Sequence, residues 1–115
     1  MPLDPKDVGL LRDVIAYSEK VQAMMIGMDE AMFLADQKTV FAVCYGIQVV
    51  GEAAWKLSDA LKKTHGEIPW PLIAGMRHRL VHDYGRTDET IVFQVATMHL
   101  PKLVEQAKAI LQAAH

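Results

Sequence analysis

The spacing of apolar side chains constrains this chain more than any other feature. Leu11, Val14, Ile15, Val21, Met24, Met25 and Met28 recur at three- to four-residue steps. That is the period of one helix face, not the two-residue alternation of a half-buried strand. The stretch predicts a helix with a single buried stripe, its methionines filling core space. The start is marked as well: Asp4 stands in N-cap position, Pro5 sits in the first turn, where proline is tolerated, and Asp7 follows three residues after the cap. A turn is expected near Met28.

The same reading extends along the rest of the chain. "DEAMFLAD" forms a short helical piece, and Asp36 can cap a long central helix from about Gln37 to Thr64. The middle of that helix is apolar on nearly all sides. Gly46, Gly51, Ala53 and Ala54 would let another helix backbone come close, inside the domain or across a dimer. "HGEIPWPL" breaks the pattern with Gly66, Pro69 and Pro71, so a new helix begins near Pro71 and should finish at Gly85, a suitable C′ residue. Thr87 or Asp88 then caps a helix through about Met98. Pro101 opens a last one, with Leu103, Ala107, Ile110, Leu111 and Ala114 spaced for burial. No repeat and no convincing strand interrupts the series, so the expected class is all-α. A length of 115 residues suits one domain, 1–115.

Composition narrows the setting. Apolar residues make up 51% and charged residues 23% of the chain, the balance of a soluble globular protein and not of a disordered one. Cys44 is the sole cysteine, lies in an apolar stretch and is expected to be a buried, inert thiol. The beginning, "MPLDPKD", lacks the basic and apolar regions of a secretion signal, which makes a cytoplasmic location the expectation. The most apolar segment, "VFAVCYGIQVVGEAAW", is interrupted by Gly46, Gln48, Gly51 and Glu52. It falls short of the ~18 apolar residues that a membrane span needs.

Charge is unevenly spread over a formal net of −2. From Lys62 to Arg86, the five cations Lys62, Lys63, Arg77, Arg79 and Arg86 stand against Glu67 and Asp83. Within that segment lies "RHRLVHDY", Arg77 to Tyr84. Three readings are open. It can be a solvated basic helix end in which Arg79 and His82 satisfy terminal carbonyls. His78 and His82, four apart, have the spacing of a metal pair, but no clear third ligand follows and the arginines would repel a cation. Or it carries phosphodiester chemistry: arginine clamps phosphate, and histidine moves protons near neutral pH. RNA suits that chemistry because its 2′-hydroxyl is a built-in nucleophile, which needs a base, an acid for the leaving oxygen and a cation for the developing charge, but no metal. On a straight helix Arg77 and His82 would lie about 140° apart. Either the helix loosens before His82 or a second copy completes the site.

"GMRHRLVHDY", preceded by "VVGEAAWKLS" and "IPW" and followed by "TDETIVFQVATMHLPKLVEQ", resembles the HepT-like toxins of the HEPN superfamily over essentially the whole chain. The family motif is Arg, a polar residue, a short run, then His, with Tyr two beyond; Arg77, His78, His82 and Tyr84 match it. The resemblance implies an up-and-down helical bundle and a homodimer with paired motifs at its interface. It also implies metal-independent endoribonuclease activity with no cofactor. A further implied partner is an MntA-like minimal nucleotidyltransferase antitoxin that transfers AMP onto the motif tyrosine, here Tyr84. Within that picture Arg77 stabilises the transition state and His82 is the general acid or base, with His78 assisting. Arg79 and Arg86 bind the RNA backbone. Glu52 either holds Arg77 or pairs with Lys56 at i,i+4, and Trp70 is read as a core anchor. The chain departs from the family pattern at Gly85, where a bulky residue is common. The rival reading is a non-catalytic module of the same fold that binds nucleotides or the nucleotidyltransferase.

Overall fold

A computed structural model describes residues 2–81 and 88–114, the side chains of 77–81 aside. Among the described residues every regular element is helical. They are α1 (Pro5–Met24), α2 (Glu30–Ala35), α3 (Gln37–Lys56), α4 (Asp59–Thr64), α5 (Trp70–Val81), α6 (Glu89–Gln94), a π-helical turn (Val95–His99) and α7 (Leu100–Ala113). The all-α class is as the sequence predicts.

The starts are set by side-chain caps. Asp4, Asp29, Asp36, Ser58 and Asp88 each accept a hydrogen bond from a backbone N–H in the first turn of α1, α2, α3, α4 and α6 respectively, satisfying donors that a helix cannot satisfy itself. At Asp36 one carboxylate oxygen takes the Thr39 N–H at 3.2 Å and the other the Thr39 hydroxyl at 2.7 Å. The hydroxyl bond, followed by the backbone one, holds this carboxyl below the usual aspartate range. Between α1 and α2 the chain reverses at Gly27, whose φ of 77° lies in the left-handed region that glycine adopts without a Cβ clash.

Around α3 the bundle assembles: α1 and α5 pack against it, and α7 packs along α1. Leu11, Val14, Val21, Val40, Val43, Ile47, Val50, Leu100 and Ala107 meet in the resulting core, each large aliphatic group contributing on the order of 1.5–3 kcal/mol by leaving water. At Gly46 α3 lies hard against α1. A Cβ there would sit 2.5 Å from the Val21 side chain, so the small residue is spent inside the chain. Short α2 is pinned by Phe33, whose buried ring lies 5.6 Å from that of Phe93 at the α6 side.

Three expectations need correction. The central helix does not run from Gln37 to Thr64: it stops at Lys56, and Leu57 and Ser58 are extended, with ψ of 148° and 151°. Ser58 caps α4 and donates its N–H and hydroxyl to Asp7, so a tertiary contact breaks what local propensity would continue. The methionine stripe of α1 is only partly core. Met25 is buried and Met28 half-buried, but Met24, the last residue of α1, is 41% exposed. Cys44 is half-buried and not fully enclosed.

The helix capped by Asp88 continues to α7 through the π-helical turn. Pro101 has no N–H to return to the Thr97 carbonyl, and the turn ahead of it widens so that Leu100 N–H reaches Val95 O. Among the described residues no helix is long and apolar enough to cross a membrane.

Candidate active site

The motif helix α5 is fixed at its start. Trp70 is 3% exposed, and its indole N–H donates to the His65 carbonyl at 3.1 Å. Ile73 N–H bonds Pro69 O at 3.1 Å to open the first turn, and buried Ile73 faces the core. Trp70 is thus the anchor that the sequence suggests. It holds α5 against α3 while the backbone carries Arg77, His78 and Arg79 near the helix's far end, their side chains outside the described residues. His82, Tyr84, Arg86 and the helix stop at Gly85 also lie outside the described residues. The angular difficulty between Arg77 and His82 therefore stands as the sequence poses it.

Glu52 is on α3, with a carboxylate oxygen 3.5 Å from Lys56 Nζ and both side chains about half exposed. This is the i,i+4 pair that the sequence offers beside an Arg77 contact. The metal reading turns on His78 and His82; among the described residues no three His, Cys, Asp or Glu side chains gather around one point.

Sequence reasoning passed over Trp55. It follows Glu52 by three residues and, with Phe41 and Tyr45, lies on the α3 face turned away from the core. Phe41 is 71%, Tyr45 61% and Trp55 57% exposed. Beside Trp55 a groove of about 580 Å³ opens between the C-terminal end of α3, α4 and the first half of α5; Lys62, Lys63, Pro71 and Ala74 line it. The break at Ser58 creates it. In one continuous helix Trp55 and Lys62 would lie about 10 Å apart along the axis, whereas here Lys62 Nζ reaches back to donate to the Trp55 carbonyl at 2.9 Å. The signal for this was in the sequence: Phe41, Tyr45, Glu52 and Trp55 share one face at helical spacing, opposite the buried Val43, Ile47, Val50 and Ala54.

Comparison with known proteins gives a consistent result. A family model described as ribonuclease HepT-like matches residues 14–110, a span that includes all of Arg77 to Tyr84. A Thermococcus cleftensis protein provisionally named ribonuclease HepT is 37% identical over 71 residues, 62% of this chain and 64% of that protein, just under two thirds of its length. A Caldanaerobacter subterraneus protein provisionally named an RNase is 32% identical over 80 residues, covering 70% of this chain and 71% of the relative. One from Methanocaldococcus jannaschii, also provisionally named an RNase, is 26% identical over 102 residues, 89% of this chain and 88% of its own. No solved structure matches the chain.

Proposed function

Because this chain belongs to the HepT-like ribonuclease family, we propose that it is an endoribonuclease that cuts RNA without metal, using Arg77 and His82. The observation that carries this reading is the family match over residues 14–110; Arg77, His78, His82 and Tyr84 fall inside that span and are the residue types this chemistry needs. In the reaction, an imidazole takes the proton of the RNA 2′-hydroxyl and O2′ bonds to the adjacent phosphorus. The P–O5′ bond breaks and the 5′-oxygen leaves with a proton, giving a 2′,3′-cyclic phosphate and a 5′-hydroxyl. Arg77 balances the charge gathering on the phosphorane, and His82 carries a proton step, each such group worth ~10² to 10⁴ in rate. His78 and Glu52 position the pair, and Arg79 and Arg86 hold flanking phosphates.

The working unit in this reading is a homodimer of one-domain chains, 1–115, in the cytoplasm. The exposed Phe41 and Tyr45 support it: aromatic side chains on one helix face are the material of a self-complementary interface. The small residues of α3 no longer argue for it, since Gly46 meets Val21 within the chain. Control falls to a minimal nucleotidyltransferase antitoxin that moves AMP from ATP onto the Tyr84 oxygen, releasing pyrophosphate. The new phosphodiester would sit two residues from His82 and occupy the place of the substrate's phosphate.

The deciding experiment is cleavage of a mixed RNA pool in EDTA by unmodified wild type, Arg77→Ala and His82→Ala. Cleavage by wild type alone is expected. Wild-type cleavage that vanishes in EDTA and returns with a divalent cation would overturn the metal-free mechanism, and no cleavage with or without added cation would overturn the enzyme reading. Incubation with the nucleotidyltransferase and ATP should add the mass of AMP to wild type and not to Tyr84→Phe.

A further inference from the structure

Trp55, Lys62 and Lys63 come together on the surface where α3 gives way to α4. The indole is more than half exposed while the chain's other tryptophan is buried. It walls a groove whose volume of about 580 Å³ is in the range of ligand sites. Lys62 and Lys63 bring two ammonium groups to that groove against the one carboxylate of Asp59. Lys62 is held in place through its bond to the Trp55 carbonyl, so one cation is tethered next to the ring. Exposed aromatic faces interleaved with cations are how proteins hold single-stranded nucleic acid without reading its sequence: bases stack and phosphates pair.

Position selects the same occupant. The groove is floored by Pro71 and Ala74 of α5, and the backbone of Arg77 follows Ala74 by three residues, an axial rise of about 4.5 Å. The groove therefore adjoins the backbone of the motif along α5. A second copy docked there about a twofold axis through the groove would bring its own Lys62 and Lys63 against these two, whereas a polyanion gains from both.

We infer that the groove between Trp55, Lys62, Lys63 and Ala74 is an RNA subsite, in which the Trp55 indole stacks an unpaired base flanking the cut and the two lysines hold its phosphates. This rests on the ribonuclease reading for the identity of the strand, but its own claim is binding.

The test is the affinity of wild type for a fluorescein-labelled 2′-O-methyl RNA decamer, whose capped nucleophile prevents turnover, measured by anisotropy. Trp55→Ala should weaken binding on the order of tenfold, and Trp55→Phe should restore most of it, because a stacked ring is retained. Lys62→Ala with Lys63→Ala should flatten the slope of log affinity against log salt by about 1.4. Equal binding by wild type and Trp55→Ala, or no wild-type binding of the decamer, overturns the subsite. So does a change of molecular mass by light scattering in Trp55→Ala, which would seat the indole between two copies. The two readings separate cleanly. Wild type that binds the decamer through Trp55 yet cuts no RNA would remove the enzyme and keep the subsite; wild type that cuts RNA with binding unmoved by Trp55→Ala would do the reverse.

Discussion

The Asp7 carboxylate takes two hydrogen bonds from Ser58, 51 positions away: one from its backbone N–H at 2.9 Å and one from its hydroxyl at 2.5 Å. Asp7 is buried on the first turn of α1, so this is where the beginning of the chain is fastened to the break between α3 and α4. Asp7→Ala leaves the Ser58 N–H without its partner and should cost about 1–3 kcal/mol of unfolding free energy in urea. Ser58→Ala removes both a partner and a cap. The double variant should fall short of the sum of the two singles, because both delete one interaction; simple additivity would show that the contact does not hold the break.

Gly46 sets how near α1 lies to α3. Gly46→Ala places a methyl 2.5 Å from Val21 Cγ2, and since Val21 is fully buried neither group can turn into solvent. The expected loss is about 1–3 kcal/mol in chemical denaturation. Val21→Ala in the same chain should recover part of it. No recovery would place the strain elsewhere along the two helices.

Cys44 is the probe of pH. Burial first, then the negative charge of Glu89, raises its thiol above the ordinary value of 9.0. At pH 7.4 the folded chain should react with iodoacetamide more slowly than the urea-unfolded chain, because it holds less thiolate. As the folded group is the weaker acid, its contribution to stability is fully present below pH 9 and is lost as pH rises through the raised value. A folded chain that alkylates as fast as the unfolded one would contradict this.

The outward face of α3 makes a prediction about assembly. Tyr45 is braced edge-on by Tyr17, with ring centres 6.4 Å apart, and Phe41 stands one turn before it. If these rings join two copies, Phe41→Glu with Tyr45→Glu should halve the mass seen in light scattering, since paired carboxylates replace buried rings. Thermal stability of the separated chain should change little, as both positions face away from the core. RNA cleavage should fall with the dimer. Full activity in a demonstrably monomeric variant would detach the chemistry from the interface.

Helix starts were legible because Asp4, Asp36 and Asp88 are local signals: an aspartate followed at once by a helix-forming run caps it whatever lies far away. The break at Ser58 was not legible. "KLSDALKK" reads as continuous helix until Asp7, half a chain away, supplies an acceptor for the Ser58 N–H. Met24 was misread for a related reason: its spacing fits the stripe, but which positions of the stripe are covered is decided by the packing of the rest of the chain. In the candidate site the residue types of Arg77, His82 and Tyr84 spoke through their resemblance to a family, not through periodicity. Trp70 was read correctly as an anchor because "IPWP" places an aromatic at a helix start. Trp55 was passed over although its helical spacing from Phe41, Tyr45 and Glu52 places it on the outward face, because composition by itself does not tell an outward ring from an inward one.

The contrast between Trp70, closed within the fold, and Trp55, open at its surface, gives the chain two distinct optical reporters. Excited together, they should emit as a blue component from the indole shielded from water and a red one from the indole in contact with it. A collisional quencher such as iodide would extinguish the second and spare the first. Loss of the bundle would abolish the distinction, while an occupant over the groove, which both indoles line, would shield the red component from iodide and leave two components in place, so the unlabelled protein can distinguish ligation from unfolding by its own light.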